Sequence, residues 1–463
     1  MLMKGPPKTV FRKHHRLLFF ILSASLILKL TVWLIAQQGH SDLFGWADSH
    51  AYHETAVSLL RLGSFSATVD HPEIPQTYRT PGYPAFLALV YALLGESWSA
   101  AAFVQIFLSL LIIGLTYAIA ARIWNEKIGL WAAGILALDP ISFTYSLKVM
   151  TETLFTLLLV LFVLYGIRFL QSGGQPHWGL CSGLFLAAAT SVRPLSSYLI
   201  YPAALGFLAW GLFQKRLAVK LLIAILLLIL PSLIFVGAWK ARNYRLTGSA
   251  IYTSIEGFYA YFWQGAAVIA ARDHLSLEEA QRELGIGGGG RLERGQDYRL
   301  RHPETALMTF EQLSERWGKE GKEIIGNHPM LFARIYVGGI LRMLTRPGVQ
   351  QLMEMIGLGK GSESLSGFRQ KPLLLIPLAL SLLFLGLLYL GVFLALWLGW
   401  RTKTFSIEQL LIWGVTLYIL ALSGGPSAFS RFRIPMAPFW AMLCAAGYSY
   451  WRSRKSAGRA VSV

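Results

Sequence analysis

Ten apolar segments, separated by short basic or polar connectors, constrain this chain more than any other feature. They lie at 17–36, 99–121, 128–147, 150–170, 178–192, 195–213, 217–239, 372–399, 407–422 and 434–451. A hydrocarbon core roughly 30 Å thick takes about 20 apolar residues in a helix, and each segment meets or approaches that length. Lipid offers no partners to backbone N–H and C=O groups, so such segments cross as helices. The expected fold class is therefore an all-α polytopic membrane protein with about ten transmembrane helices. Composition agrees: 54% of the 463 residues are hydrophobic and 14% are charged, against about 25% charged in soluble domains. Leu17–Ala36 is too long for a signal-peptide core and has no small-residue cleavage site, so it is expected as a retained first helix.

A net charge of +18 could indicate a nucleic-acid partner, but its distribution speaks against one. Alternating the ten spans from a cytoplasmic N-terminus places Arg122-Ile-Trp-Asn-Glu-Lys127, Gln214-Lys215-Arg216, Trp400-Arg401-Thr-Lys403 and Arg452-Ser-Arg454-Lys455 on one side. That side holds seventeen Lys and Arg and two acids, Glu126 and Glu408, and so carries fifteen of the net charges. This is the positive-inside pattern, with both termini cytoplasmic. Cys181 and Cys444 sit in apolar runs and read as small core residues, not as a disulfide or a metal pair.

Three parts follow. Residues 1–239 form an N-terminal membrane module whose first outer loop, 37–96, is the expected site. Residues 240–371 form an outer segment, and residues 372–463 return through the membrane to a basic tail. Within the first loop, Pro84–Leu94 is apolar but too short to span, and is expected as a helix lying at the interface. The outer segment has balanced charge between Lys240 and Met330, twelve basic and twelve acidic residues. Helices are expected there over Ser276–Leu284 and Thr305–Ile325, with an amphipathic stretch at 329–345. Gly285-Ile-Gly-Gly-Gly-Gly290 lacks the lysine and preceding strand of a phosphate-binding loop and reads as a flexible joint. No internal repeat stands out, whereas transporters often carry inverted ones.

Asp48 opens Asp48-Ser-His-Ala-Tyr52, with Tyr52, Ala56, Leu59 and Leu60 at helical spacing behind it. It reads as a helix N-cap, as a catalytic carboxylate at the membrane surface, or as both, since a cap fixes the carboxylate. Glu152 opens the fourth span in Thr151-Glu152-Thr153. A helix N-terminus favours a carboxylate there, and a carboxylate entering hydrocarbon is costly and usually functional. Five arginines fall on the outer side, against the charge bias: Arg79 in Arg79-Thr-Pro-Gly-Tyr-Pro84, Arg193 after the fifth span, Arg242 after the seventh, and Arg431 and Arg433 before the tenth. Each alone could meet lipid headgroups. Together they fit an anionic phosphate, which guanidinium binds in bidentate fashion. His50, Tyr52 and Tyr83 are expected to position substrate. His50, His53 and Glu54 share a helical face, but their spacing matches neither His-Glu-x-x-His nor its inverse. No metal ligand is assigned, and a solvated polar face is the plainer reading. Asp139 and Lys29 lie deeper in apolar runs and are expected to face the bundle interior.

Together these motifs resemble the GT-C superfamily of integral-membrane glycosyltransferases, in the branch holding protein O-mannosyltransferases and the aminoarabinose transferase that modifies lipid A. The resemblance is carried by Asp48-x3-Tyr52, Arg79-Thr-Pro-Gly-Tyr-Pro84, Thr151-Glu152-Thr153, Trp239-x2-Arg242-Asn243 and Arg431-Phe-Arg433-Ile-Pro435. It covers about residues 40–245 and 420–450, and the segment 245–370 lies outside it.

The resemblance implies a GT-C fold with juxtamembrane helices in the first outer loop. It implies a sugar donor on polyprenyl phosphate and an acceptor hydroxyl on a lipid, glycan or protein, with membrane lipids as further partners and no nucleic acid. The site would lie at the outer face of a bacterial inner (cytoplasmic) membrane. Asp48 would be the base of an inverting transfer and Glu152 a second catalytic carboxylate. Arg79, Arg193, Arg242, Arg431 and Arg433 would hold the donor phosphate. Relatives often carry a second acid beside the first-loop aspartate. Here Ser49 stands in that place, so no cofactor is assigned and a divalent metal stays open. The aminoarabinose transferases have Glu-Lys-Pro where this chain has Arg79-Thr80-Pro81, which moves the positive charge one position earlier. Two other classes remain: an O-antigen ligase or polymerase, which calls for an essential His or Arg in the late loop, and a lipid or sugar transporter.

Overall fold

A computed structural model describes residues 8–39, 41–46, 48–215, 219–287, 295–358, 375–403 and 405–460. Expectations on Lys4, Arg216, Gly288 to Gly290, the first residues of the seventh and eighth spans, and the side chains of Arg454, Lys455 and Arg459 lie outside what is described. Among the described residues, the sole β pairing is the isolated antiparallel bridge Ser66–Pro75, and the fold is helical.

The first part contains α1 (Lys8–Gln37), α2 (Ser49–Leu62), α3 (Gly82–Leu94), α4 (Trp98–Ile123), α5 (Glu126–Ala137), α6 (Pro140–Tyr145), α7 (Glu152–Gln171), α8 (Pro176–Val192), α9 (Ile200–Phe213) and α10 (Val219–Thr247). The outer segment adds α11 (Ile255–Tyr259), α12 (Ala266–Asp273), α13 (Leu277–Glu283), α14 (Gln296–Arg301), α15 (Phe310–Asn327), α16 (Pro329–Thr345) and α17 (Gln350–Met355). The chain ends in α18 (Leu375–Thr402), α19 (Ile407–Leu422) and α20 (Ala437–Ala460).

Six helical stretches among the described residues are long and apolar enough to cross a membrane: His14–Gln37, Trp98–Ile123, Glu152–Gln171, Pro194–Phe213, Val219–Thr247 and Leu375–Thr402. The other four expected spans fall on α5 with α6, α8, α19 and α20, which pack among those six. The third expected span, 128–147, is broken because Pro140 has no N–H to continue a helix and Asp139 starts a new one. The Asp139 carboxylate accepts from Ser142 N at 3.2 Å. This cap is the partner the sequence did not provide for Asp139, and Lys29 finds its own in Ser109 Oγ at 2.7 Å.

Close packing is set by small residues. In Gly179-Leu-Cys-Ser-Gly183 a Cβ at either glycine would collide with a backbone carbonyl of α10, that of Ala224 or of Leu228. The pattern is the small-xxx-small spacing that lets membrane helices approach.

Side-chain bonds define one end of the bundle. His14 meets Glu126 at 2.7 Å, Gln171 donates to Glu408 at 3.3 Å, and Trp124 donates to Tyr450 at 2.9 Å. The opposite end carries α2, α3 and the outer segment. Helix α10 runs through residue 240 to Thr247 and so lifts Arg242 and Asn243 above the bundle. Two capping boxes start helices of the outer segment, Ser276 with Glu279 and Thr309 with Gln312. Thr309 delays α15 relative to the expected start at Thr305, since residues 303–305 close a separate 3-10 turn. The outer segment has its own aromatic core of Phe258, Phe262, Tyr298 and Trp317, and Tyr78 from the first loop is part of it. That shared ring fixes the first loop against the outer segment.

Candidate active site

Asp48 precedes α2, but its side chain makes no cap bond. Its two oxygens go to two arginines instead: Oδ1 accepts from Arg79 Nη2 at 2.6 Å and Oδ2 from Arg431 Nη2 at 3.0 Å. Burial alone would push this carboxyl up, yet the two guanidiniums outweigh it and hold Asp48 well below the usual carboxylate range. Beyond it stands Glu152, fully buried at the start of α7. Glu152 Oε1 lies 3.5 Å from Arg193 Nη2 and 3.7 Å from Arg431 Nε, too far for a hydrogen bond to either. Two carboxylates and three guanidiniums thus alternate in one cluster with one positive charge in excess.

Aromatic rings hold the guanidiniums in place. Arg79 lies between Tyr52 and Tyr78, 4.8 and 5.0 Å from the ring centroids. Arg193 and Arg431 share Phe432 at 5.5 and 5.6 Å. Such cation–π contacts orient a guanidinium without consuming its N–H donors. The Arg193 guanidinium in particular makes no hydrogen bond among the described residues, only its ion pair and ring contacts.

The cluster lines a cavity of about 570 Å³, walled by Trp46, Tyr52, Met150, Ile255, Tyr259, Trp263 and Phe429 among others. The structure therefore brings together Asp48, Tyr52, Arg79, Arg193 and Arg431 around one space, with Glu152 buried directly behind it.

Four expected residues do not reach the cavity. Arg242 spends its guanidinium on the carbonyls of Gln76 and Phe65, each at 2.9 Å, and on Asn243 Oδ1. It braces the first loop and does not line this cavity. Arg433 turns away, donating to Leu344 O at 2.8 Å and lying 3.4 Å from Tyr389 Oη, because residues two apart on the 3-10 turn Ser430–Met436 point about 120° apart. Tyr83 is fully buried, its hydroxyl donating to Gln105 at 3.0 Å and its ring edge set against Tyr52 at 5.0 Å. It supports Tyr52 and does not touch the space. His50 is exposed and packs its ring on Trp98 at 4.8 Å, on the far side of α2.

Several residues outside the sequence motifs build the site. Gln76 Oε1 accepts from the backbone N–H groups of Tyr78 and Arg79 at 2.9 and 3.1 Å, which sets the strand-like entrance to Arg79. Lys148 Nζ donates to the carbonyls of Leu43 and Gly45. Ser49 Oγ donates to Val149 O at 2.8 Å and receives Trp46 N. These bonds tie the loop before Asp48 to the α6–α7 junction that carries Glu152. No local sequence signal marks the Lys148 and Ser49–Val149 bonds, whose partners lie 100 to 105 positions away.

Among the described residues, no three His, Cys, Asp or Glu side chains gather as metal ligands. Both Asp48 oxygens are engaged by guanidiniums, and Ser49, where a second acid would stand, is buried in a bonding role of its own. This donor set does not fit a divalent cation.

Residues 70–235 match the family model for dolichyl-phosphate-mannose-protein mannosyltransferase. No curated protein sequence matches the chain. Among solved structures, the oligosaccharyltransferase AglB of Archaeoglobus fulgidus, in complex with an inhibitory peptide and a dolichol-phosphate, is similar with a TM-score of 0.52 at 12% identity over 96% of this chain. Its apo form gives a TM-score of 0.50 at 11% identity, also over 96%. ArnT from Cupriavidus metallidurans bound to undecaprenyl phosphate gives 0.37 at 13% identity, covering 92% of this chain and 76% of that one. The chain spans about half the length of the archaeal proteins, 52% in both. The matched segment therefore resembles that family over residues 70–235, and the fold of this multi-pass membrane protein is similar to that of the archaeal oligosaccharyltransferase.

Proposed function

We propose that this protein transfers a sugar from a polyprenyl-phosphate donor to an acceptor hydroxyl at the outer face of a bacterial cytoplasmic membrane, with inversion at the anomeric carbon. The observation that carries the reading is the Arg79–Asp48–Arg431 bridge, with Glu152 and Arg193 behind it, on one cavity at the loop-bearing end of the bundle. The excess positive charge suits a phosphodiester. Cleaving the C1–O bond sends its electron pair to the phosphate oxygen, so the leaving group gains negative charge. Pre-placed guanidiniums stabilise that growing charge. Arg193, with its donors uncommitted, is the first ligand for the phosphate. The chain's likeness to an oligosaccharyltransferase solved with a dolichol-phosphate supports the donor class.

A carboxylate held as low as Asp48 is a weak base while Arg79 and Arg431 both bind it. A donor phosphate competes for Arg79 and Arg431, loosens their grip and returns Asp48 toward a basicity useful at neutral pH. The acceptor oxygen then attacks C1 while its proton passes to Asp48. An apolar groove of about 350 Å³ between α9 and α19, lined by Leu199, Phe207 and Leu411, offers the lipid tail an apolar surface.

The deciding experiment compares envelope lipids, glycans and proteins by mass spectrometry in cells with the wild-type chain, without it, and with Asp48→Asn. A hexose or pentose increment present only with the wild type is the expected result. Identical profiles in donor-competent cells overturn the reading.

A further inference from the structure

Lys29 lies inside the membrane-crossing stretch His14–Gln37, and its side chain is buried. An ionisable group at such depth is costly, faces the bundle interior and is usually retained for a function. Asp139 is the acid whose charge reaches it. Its hydrogen bonding is incomplete. The Nζ group carries three N–H donors, and among the described residues it forms one bond, to Ser109 Oγ at 2.7 Å. The ring of Phe143, 5.4 Å from Nζ, adds only a cation–π contact.

Lys29 lines a cavity of about 20 Å³ with Ser109, Ser142, Thr153 and Thr156, in an otherwise apolar wall. A single water needs roughly 10–15 Å³ and two to four polar partners. The hydroxyl hydrogens around this cavity are all committed. Ser109 donates to Ile106 O at 2.6 Å, Ser142 to the Asp139 carboxylate, Thr153 to Tyr145 O at 3.1 Å and Thr156 to Glu152 O at 2.7 Å. These oxygens therefore present lone pairs, opposite a group with N–H donors to spare. A water completes the set, accepting from Lys29 and donating to two of the hydroxyl oxygens. An anion would find hydrogens on Lys29 alone, and a metal cation would meet the positive charge of Lys29.

The cavity also lies against the candidate active site. Thr153 and Thr156 belong to the opening of α7, which begins at Glu152. The Glu152 carboxylate is not held by bonds of its own: Oε1 has no hydrogen-bond partner among the described residues, and Oε2 lies 3.5 Å from Thr151 Oγ1. Its direction is thus set by the helix turn that carries it. Helix α1 packs mainly on α4 and α5, and Lys29 extends its reach to that turn.

We propose that this cavity is a hydration site within the membrane region, that its water joins Lys29 to the Thr153 and Thr156 hydroxyls, and that Lys29 is through it a positioning residue for Glu152. The positioning role rests on the transferase reading; the hydration site does not.

Cryo-electron microscopy of the full chain in lipid nanodiscs, at a resolution that shows ordered water, tests the site. Density is expected within about 2.7–3.2 Å of Lys29 Nζ and of a Thr153 or Thr156 hydroxyl. It should persist in Lys29→Gln, whose amide still donates, and vanish in Lys29→Met. A well-resolved wild-type cavity without that density, or density unchanged in Lys29→Met, overturns the site. Turnover with a lipid-linked donor tests the role. Lys29→Met should lower kcat about tenfold, the equivalent of one hydrogen bond. Donor KM should stay unchanged, and Lys29→Gln should restore most of the loss. Thr153→Val/Thr156→Val leaves Lys29 and Asp139 in place and gives the same measurement if Lys29→Met does not fold. Combining the threonine and lysine changes should cost no more than either alone, because both break one bridge. Additive losses, or wild-type kcat in the folded variants, overturn the role. Absence of turnover in the wild type strikes the transferase reading, while the water density is judged separately.

Discussion

Asp48 and Arg431 are 383 positions apart in sequence, and their charged groups lie 3.0 Å apart. One carboxylate thereby closes a contact between the first outer loop and the turn before α20. It also holds Arg79 from the other side, so a single acid sets two guanidiniums across the cavity.

Replacing Asp48 with Asn leaves Arg79 without its counter-charge, leaves Arg431 with Glu152 alone at 3.7 Å, and removes the base. Turnover is expected to fall by about 10²–10⁴-fold, with a weaker effect on donor affinity because the guanidiniums gain freedom to meet the phosphate. Steady-state kinetics with a lipid-linked donor check both parts. An Asn variant with kcat near wild type removes Asp48 from the chemistry.

The same pair sets a pH dependence. The folded carboxyl is held below its unfolded value of about 3.9, so its stabilising contribution is complete above that value and is lost as pH falls through the folded pKa. Thermal unfolding in detergent should show no loss from this group between about pH 5 and 8. The difference in Tm between wild type and Asp48→Asn should shrink only in strong acid. A difference that vanishes near neutrality contradicts the ion pairing.

Arg193→Lys keeps the charge but loses the planar fork. KM for the donor is expected to rise about tenfold, with kcat falling less, since a charged hydrogen bond is worth about 2 kcal/mol. Equal donor KM values for the two proteins would place the phosphate elsewhere.

Arg242→Ala behaves differently. It frees the carbonyls of Phe65 and Gln76 from their shared donor, so the expected cost is stability, about 2 kcal/mol. Donor KM of the folded fraction stays near wild type. Calorimetry and kinetics on the same preparation separate these effects. A raised donor KM with unchanged Tm returns Arg242 to the phosphate.

Gly82→Ala tests how α3 docks. A Cβ there would meet the Ser191 backbone carbonyl carbon and oxygen, both at 2.8 Å, so α3 must shift from α8 and carry Arg79 with it. Reduced yield of folded protein is expected, together with low activity in what remains.

The membrane helices, the short helix over Pro84–Leu94 and the outer helix start at Ser276 were legible in the sequence because hydropathy and capping are local properties. The cluster was legible only as a list of charges on one side of the bundle. Five arginines looked alike there, each an outward guanidinium against the charge bias. Packing separates them. Arg431 and Arg433 are two positions apart, yet the turn between residues 430 and 436 aims one at Asp48 and the other at Leu344 O. Arg242 lies beyond a long apolar helix just as Arg193 does, but the first loop folds back over Arg242 and engages both its terminal nitrogens.

The sequence by itself determined that the chain is a helical membrane protein and that its chemistry-bearing residues lie between helices. Length, hydropathy and charge act along the chain, so they can be read along it. Tertiary structure alone decided which side chains share a cavity. Ion pairs across 31 and 383 positions depend on how α2, α7 and the turn before α20 pack, and on the ring contacts that orient each guanidinium, and none of these has a local signature.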